Sequence, residues 1–349
     1  MRASGGGYRV AVLGAVSLLG RELEKILRER RFPFSTFATV EQGDESLASE
    51  FDPEEEIPGL LSMEEAADVK WDFLFLAGSG ALDTALVGAV LDHGGRVIDL
   101  VDGNGVLDCG GELRIVSFPL PEFTAQPARR ANLFGSPHPA TILLAALTGN
   151  LERKFSIAAA TAEVFESASA RGGEGIKELQ EQTWNLLQFQ KIPKEVFGAQ
   201  LAFNILPRLG TERARKGGLA EGGVLRRELE YFLSGSLLMP VPRVFQLPVF
   251  YSIAVSFYVE LTEPISLEEV EQALAGSRVQ VRPERGEPAT LVDVLGADSI
   301  LAEVNPAKGP SGADFWIWAV ADNVHVAALN AVEIAESFVE GGIGGGRVQ

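Results

Sequence analysis

The sequence predicts an α/β protein of two domains, in which a domain with a parallel sheet is followed by a domain of α+β type. The chain has 349 residues, more than a single hydrophobic core usually holds. Short apolar strand runs alternate with helical patterns through its first 135 residues, whereas later strand runs are longer and rich in Val, Phe and Tyr. Hydrophobic residues make up 46% of the chain and charged residues 22%, as is typical of folded globular proteins.

Strand and helix patterns alternate in order through the first domain. The run YRVAVL ends at Gly14, and a helical stripe follows with Leu23, Ile26 and Leu27 on one face. Further strands are predicted at 34–40, 71–78, 96–101 and 114–118, and helices at 21–31 and 81–92. Because these strands are almost wholly apolar, we expect helices on both faces of a parallel sheet.

Longer strands distinguish the second half of the chain. A helical run follows Pro139, and the strand-like run DFWIWAVA leads into a final helix. Segment 243–261 predicts one long strand or two consecutive strands. The other predicted elements are a strand at 154–165, a helix at 175–189 and a helix at 265–277 that Ser266 caps.

A glycine-rich turn, GAVSLLG at 14–20, lies between the first strand and the first helix. Glycines at its two ends allow a tight turn and a close helix–sheet contact, and the helix N-terminus can bind a pyrophosphate. Ser17 stands where a middle glycine is expected. Its side chain narrows the approach of a phosphate to the backbone, although its hydroxyl can itself donate a hydrogen bond. The alternative is a turn that binds nothing. The predicted dinucleotide contacts are Gly14, Ala15, Ser17, Leu18, Leu19 and Gly20.

Glu41 follows the second predicted strand, where an acid can accept a hydrogen bond from a ribose hydroxyl. The alternative is that Glu41 is a solvated acid in a loop and contacts no ribose. From this pattern we predict a Rossmann-type dinucleotide-binding domain over 1–135, completed by a C-terminal helix over 323–340. An α+β domain is predicted over 136–322.

Composition excludes several classes of partner. A net charge of −18 disfavours binding to nucleic acid. The apolar run near the N-terminus is too short for a membrane span or an export signal. Cys109 is the only cysteine, which rules out an internal disulfide and fits a reducing cytoplasm. The three histidines lack metal-ligand spacing, so we expect no metal site.

The chain resembles the aspartate-semialdehyde dehydrogenase family over nearly its whole length. The matching runs, in the family's order, are VIDLVDGNG, FPLPEF, GAQLAFNILPRL, LPVFY and VADNVHVAALNAVEIAE. The resemblance is closest to the USG-1-like branch, which lacks the catalytic cysteine. It implies an oxidoreductase fold that binds NAD or NADP, a role in amino-acid biosynthesis, a homodimer, and a second domain for dimerisation and substrate binding.

The chemically demanding positions of the family differ in this chain. The family's enzymes reduce an acyl phosphate through a cysteine thioester, and the cysteine position falls on Pro139. The substrate-binding arginine falls on Gln246 and the catalytic histidine on Ile253. The family's glutamine is placed at Glu166 and its phosphate-binding lysine near Val224, with Glu228 retained. We therefore expect the thioester-dependent reaction to be lost.

The resemblance also bears on the cofactor. Relatives that prefer NADP carry a Ser-Arg-Ser type segment after the second strand, where this chain has an acid, Glu41. Because an acid disfavours a 2′-phosphate, NAD is favoured over NADP. Ala77, Gly78 and Asn323 fall at the family's other cofactor-contact positions.

Three hypotheses follow for the function. The first is a catalytically silent homologue that binds NAD(P) and forms a homodimer. The second is an active NAD(P)-dependent oxidoreductase on a different carbonyl substrate, with His138 as a weak catalytic candidate. The third is a structural or regulatory partner of an active dehydrogenase. A hydrolase-like pair of Ser136 and His138 is a minor alternative, and Cys109 is interpreted as an incidental thiol.

Overall fold

The protein is described by a computed structural model that covers residues 7–40, 60–78, 82, 84–118, 132–207, 223–233, 240–276, 278–283, 286–307 and 311–339. The chain divides into two compact units. The first unit spans 1–116, 127–137 and 327–349, and the second spans 117–126 and 138–326. The functional roles of the two domains stay predictions.

A seven-stranded parallel sheet forms the first unit. Its strands are β1 (Tyr8–Leu13), β2 (Phe34–Val40), β3 (Leu60–Leu61), β4 (Phe73–Leu76), β5 (Arg96–Asp99), β6 (Glu112–Leu113) and β7 (Leu133–Gly135). They lie in the order β3-β2-β1-β4-β5-β7-β6, and every paired strand is parallel. This order, which runs outward in both directions from β1, is that of doubly wound nucleotide-binding folds. The predicted fold class is confirmed.

Helices of the first unit follow the strands. They are α1 (Leu18–Glu29), α2 (Met63–Ala67), α3 (Ala85–Asp92) and α4 (Gly103–Asp108). The predicted first helix was placed too late, because Ser17 caps α1 and the helix begins at Leu18. The predicted third helix was placed too early, because α3 begins at Ala85, directly after the capping Thr84, and not at residue 81.

A six-stranded mixed sheet forms the second unit. Its strands are β8 (Ile157–Glu166), β9 (Val241–Gln246), β10 (Ile253–Ser266), β11 (Val279–Arg282), β12 (Ile300–Pro306) and β13 (Ser311–Ala321), in the order β11-β12-β13-β10-β8-β9. Its helices are α5 (Pro139–Glu152), α6 (Gly172–Leu187), α7 (Gly223–Phe232) and α8 (Leu267–Leu274). Segment 243–261 therefore contains two strands, as one of the two interpretations expected, and Ser266 caps α8 through a capping box.

The last helix, α9 (Asn323–Glu336), contributes to the core of the first unit. Its residues Ala328, Val332 and Ala335 belong to one buried cluster with Val10 and Phe73 of the sheet. The burial of so many α9 side chains explains why its sequence is apolar on nearly every side.

The predicted strand at 114–118 is wrong. The short β6 lies just before it, and two backbone groups of the segment bond to a side chain instead of to a strand. Asn330 Nδ2 donates to Arg114 O at 2.8 Å, and Val116 N donates to Asn330 Oδ1 at 2.8 Å. One amide side chain on α9 thus replaces strand partners at this edge.

Within the described residues, no helix is both long and apolar enough to cross a bilayer. In the same part of the chain, His, Cys, Asp and Glu side chains do not gather in any group of three or more that could hold a metal ion.

Candidate functional site

The glycine turn of the first unit is tightly closed. Gly14 has a φ of +78°, and a Cβ atom at this position would lie 2.6 Å from Gly78 N. A Cβ on Gly20 would lie 2.4 Å from Gly14 O. Both positions therefore require glycine, since a side chain at either one would collide with backbone.

Ser17 fastens this turn to the end of β4. Its Oγ accepts a hydrogen bond from Gly20 N at 3.0 Å and donates one to Ala77 O at 2.9 Å. The hydroxyl proton is thus directed at a backbone carbonyl of the same unit. The same oxygen accepts the capping bond of α1, and a role of Ser17 in phosphate binding stays a prediction.

The predicted cofactor residues of the first unit lie together. Ser17 bonds the turn from Gly14 to Gly20 to Ala77, and Ala77 N donates to Leu13 O at the end of β1 at 2.9 Å. The N-terminal turn of α1, which contains Leu18 and Leu19, follows directly, and such a helix terminus can bind a phosphate. Glu41 lies outside the described residues.

Asn323, the remaining predicted cofactor residue, belongs to the second unit. Ser169 Oγ donates to Asn323 Oδ1 at 2.9 Å, and Ser167 Oγ lies 3.0 Å from Ser169 Oγ. These hydrogen bonds hold the carbonyl of the Asn323 amide, so the amide has a defined orientation. Its role in cofactor binding stays a prediction.

Three of the positions that the resemblance singles out lie in one row across the second sheet. Glu166 on β8 pairs with Gln246 on β9 and with Ile253 on β10. All three residues are buried, and Gln246 Nε2 donates to Glu166 O at 2.9 Å. Glu166 and Ile253 are register partners although they lie 87 positions apart in sequence. Strand pairing thus brings distant residues together.

His138 contacts this row from the start of α5. Its Nε2 lies 3.3 Å from Glu166 Oε1, and its Nδ1 accepts a hydrogen bond from Ala140 N at 3.2 Å. Both ring nitrogens therefore face partners within the protein.

Arg171 was missed by the sequence analysis. It ends a short 3₁₀ helix, Ala168–Arg171, and its Nη2 lies 3.2 Å from Glu166 Oε2. Burial opposes the ionisation of Glu166, but its contact with His138 and the charge of Arg171 outweigh burial and lower the pKa of this carboxyl. The one available signal was an arginine five residues after a buried acid.

The polar groups at the N-terminus of α5, the place that the resemblance assigns to the family's nucleophile, are bonded to groups of the same unit. Pro139 is the first helical residue and has no N–H to offer. Glu228 on α7 accepts from His138 N at 2.9 Å and from Thr141 Oγ1 at 2.6 Å. Ala140 N donates to the His138 ring. Donors that could stabilise an incoming oxyanion are therefore engaged internally.

The other singled-out polar residues have structural partners. Ser136 Oγ donates to Ala327 O and accepts from Asn330 Nδ2, so its hydroxyl is engaged within the first unit rather than paired with a histidine. Cys109 is exposed at the end of α4. His325 Nε2 lies 2.7 Å from Asp298 Oδ1, and His93 caps the end of α3.

The parallel sheet, its strand order and the glycine turn after β1 define a Rossmann-fold protein with an added α+β unit. A family model described as "Semialdehyde dehydrogenase, dimerisation domain" matches residues 149–326. The chain belongs to the semialdehyde dehydrogenase family.

Relatives extend this similarity to the whole chain. The chain is 24% identical over 338 residues to aspartate-semialdehyde dehydrogenase from Rickettsia bellii, covering 95% of this chain and 98% of the relative. It is 25% identical over 342 residues to aspartate-semialdehyde dehydrogenase 2 from Vibrio cholerae, with the same coverage.

Solved structures share the fold. The crystal structure of aspartate semialdehyde dehydrogenase II from Vibrio cholerae, complexed with ASA, has a TM-score of 0.78 at 23% identity and covers 95% of this chain and 98% of its own. A probable aspartate-semialdehyde dehydrogenase from Pseudomonas aeruginosa has a TM-score of 0.79 at 24% identity, covering 96% and 99%.

Proposed function

We propose that this chain is an aspartate-semialdehyde dehydrogenase-like protein that binds NAD or NADP and does not carry out a thioester-dependent reaction. The observation that carries the proposal is the buried row of Gln246, Glu166 and Ile253, which His138 contacts at the start of α5. Relatives named aspartate-semialdehyde dehydrogenase align over nearly the whole chain, which supports comparing these positions one by one.

The groups that the acyl transfer needs are missing at Pro139 and in this row. Pro139 has no nucleophilic atom, and the aliphatic Ile253 can neither accept nor donate a proton. Gln246 is neutral, so it cannot form the charged two-point contact that an arginine makes with a carboxylate. Glu166 adds a carboxylate whose lowered pKa keeps it ionised, and this charge opposes an anionic acyl phosphate.

Cofactor binding is proposed for the first unit. The turn at Gly14 and Gly20 excludes side chains and precedes the N-terminus of α1, as in sites that bind a pyrophosphate. A preference for NAD over NADP is proposed on the acidic residue Glu41 alone. A homodimer is proposed because residues 149–326 match a dimerisation domain.

The test combines ligand binding with turnover. Thermal melts with NAD, NADH, NADP and NADPH should show a rise in Tm that is larger for the NAD pair. Aspartate semialdehyde with phosphate and either oxidised cofactor should give no rate, because loss of a catalytic nucleophile lowers kcat by roughly 10⁶ in a well-measured protease. Phosphate-dependent formation of NADH or NADPH would overturn the proposal.

The other two hypotheses give different results in the same experiments. An oxidoreductase that uses His138 on another carbonyl would have to free a ring nitrogen from Ala140 or Glu166. It would show an NADH-dependent rate on some carbonyl compound that His138→Ala removes. A purely structural partner would show no change in Tm with any of the four nucleotides.

A further inference from the structure

Three polar atoms in and beside the buried row are without a hydrogen-bond partner. They are Glu166 Oε1, Gln246 Oε1 and Arg171 Nε. His138 Nε2 lies 3.3 Å from Glu166 Oε1 but does not form a hydrogen bond with it. Buried polar atoms in folded proteins nearly always have a partner, so three unpartnered atoms on residues that contact one another need an explanation. We call Glu166, Gln246 and Arg171 the polar cluster.

The two unpartnered oxygens of the polar cluster belong to neighbouring strands. Glu166 and Gln246 are register partners, so their side chains share one face of the sheet, and they are 1% and 3% exposed. The orientation of the Gln246 amide is fixed, because its nitrogen donates to Glu166 O at 2.9 Å and a carbonyl can only accept. Its oxygen is therefore the atom without a donor. Two acceptors thus lie side by side with no N–H group directed at them.

Arg171 is only partly used by the pair that it forms with Glu166. One nitrogen, Nη2, lies 3.2 Å from Glu166 Oε2, and within the described residues the guanidinium makes no other hydrogen bond. The side chains of Arg171 and His138 keep 17% and 19% of their surfaces exposed. The polar cluster therefore borders solvent at these two side chains, and Arg171 can move aside without breaking a second bond.

The charges of the polar cluster restrict the ligand that it can take. Glu166 is ionised and Arg171 is a cation, so the pair has no net charge. A ligand carboxylate would be repelled by Glu166, and a ligand ammonium group would be repelled by Arg171. The ligand group must therefore be uncharged.

Hydrogen bonding restricts the ligand further. The polar cluster offers two acceptors, on Glu166 and Gln246, and one donor, on Arg171. A primary carboxamide has two N–H donors and one carbonyl acceptor, so it matches all three atoms. Ile253, which is also in register with Glu166, provides an apolar contact for the carbon chain that carries the amide.

We propose that the polar cluster binds the primary carboxamide group of a small uncharged molecule. Gln246 and Glu166 accept from the N–H groups of the amide, and Arg171 donates to its carbonyl. This inference rests on the proposed function, in which Gln246 does not bind a carboxylate, and it names the class of ligand for the same site. Binding requires neither a nucleotide nor turnover, so it can be measured by itself.

Titrations of the full chain with three matched probes test the proposal. Butyramide, butyrate and butylamine have carbon chains of equal length, and at pH 7 they present an amide, a carboxylate and an ammonium group. Saturation-transfer NMR gives a Kd for each in the absence of nucleotide. Butyramide should bind at least about 10-fold more tightly than either charged probe, because a site built for hydrogen bonds rejects analogues that leave its groups unpaired.

Gln246→Met removes the acceptor and keeps the length of the side chain, so it should weaken butyramide binding at least about 10-fold. Gln200→Met is the matched control. Gln200 belongs to the same unit and also donates its amide to a backbone carbonyl, that of Ala202, but it lies outside the polar cluster. Its substitution should leave the Kd for butyramide unchanged.

Arg171→Met is a second variant, which keeps the proposal testable if far-UV circular dichroism shows that Gln246→Met does not fold. It leaves the ionised Glu166 without its guanidinium, so the preference should change from butyramide to butylamine. Equal affinities for the three probes, no binding of butyramide, or equal losses in Gln246→Met and Gln200→Met would overturn the amide site. A phosphate-dependent rate with aspartate semialdehyde would instead overturn the proposed function, whatever the titrations show.

Discussion

His138 Nε2 lies 3.3 Å from Glu166 Oε1, and this contact joins the start of α5 to the end of β8. The same Glu166 binds Arg171 and lies in register with Gln246 and Ile253. A buried carboxylate is stable only when it is paired, so Glu166 depends on these contacts.

Introducing a thiol at residue 139 alone should not produce the family's reaction. Pro139→Cys would place a nucleophile directly after His138, which contacts the ionised Glu166. Ile253 would be unable to take its proton, and Gln246 would be unable to hold a carboxylate. The single variant should remain without measurable turnover of aspartate semialdehyde.

The fourfold variant Pro139→Cys, Glu166→Gln, Gln246→Arg and Ile253→His supplies the comparison. It should show a phosphate-dependent rate above that of the single variant, followed as NADH or NADPH formation. Full activity from Pro139→Cys alone would mean that the other three positions do not matter to the chemistry.

Glu228 is expected to stabilise the N-terminus of α5. Glu228→Ala would leave His138 N and Thr141 Oγ1 without their acceptor in a buried environment, which costs about 1–3 kcal/mol of the free energy of unfolding. Urea unfolding measures this loss. Glu230→Ala is the control on the same helix, because its exposed ion pair with Arg226 should change stability by less than about 1 kcal/mol. Equal losses in both variants would contradict the capping role.

Ionisation of Asp99 should lower the free energy of unfolding as pH rises. Burial raises the pKa of its carboxyl to about 6, although Val101 N and Asp102 N donate to it. Because the folded pKa is above the unfolded value, the stability associated with the protonated form is present below about pH 4 and is lost as pH rises through about 6.

Asp99→Asn should therefore raise Tm at pH 8 and have little effect at pH 4. The amide oxygen can still accept from the same two N–H groups, whereas the buried charge is removed. Thermal melts across this range measure the difference, with Asp92→Asn at the exposed end of α3 as the control. A difference in Tm that does not change with pH would contradict the assignment.

Ser17 should matter more for the shape of the turn than for direct contact with a cofactor. Ser17→Ala removes the cap of α1 and the bond to Ala77 O, and should lower the free energy of unfolding by about 1–2 kcal/mol. Ser35→Ala, which loses a single exposed bond to Tyr8 O, should have a smaller effect. If Ser17→Ala weakened NAD binding without any change in stability, the hydroxyl would be a ligand contact instead.

Much of the fold could be predicted because its local signals are strong. The runs at 8–13 and 34–40 match β1 and β2, since short apolar runs bounded by turn residues are typical of buried parallel strands. The strand predicted at 114–118 failed because its backbone groups bond to Asn330, which is more than 200 residues away in sequence. Local patterns cannot show such a partner.

The candidate site was only partly accessible to sequence reasoning. The resemblance identified Pro139, Gln246 and Ile253. The row that Gln246 and Ile253 form with Glu166 depends on strand register, which no single strand specifies. Arg171 was missed because its importance arises from the 3₁₀ helix that turns its side chain towards Glu166. The roles of these residues in function stay predictions.

The most direct test of the central claim is phosphate-dependent turnover of aspartate semialdehyde by the wild type and by Cys109→Ser. Cys109 is the only cysteine of the chain, so the variant removes every thiol that could form a thioester. We predict no formation of NADH or NADPH above the rate in buffer for either protein. A phosphate-dependent rate in the wild type that disappears in Cys109→Ser would contradict the account.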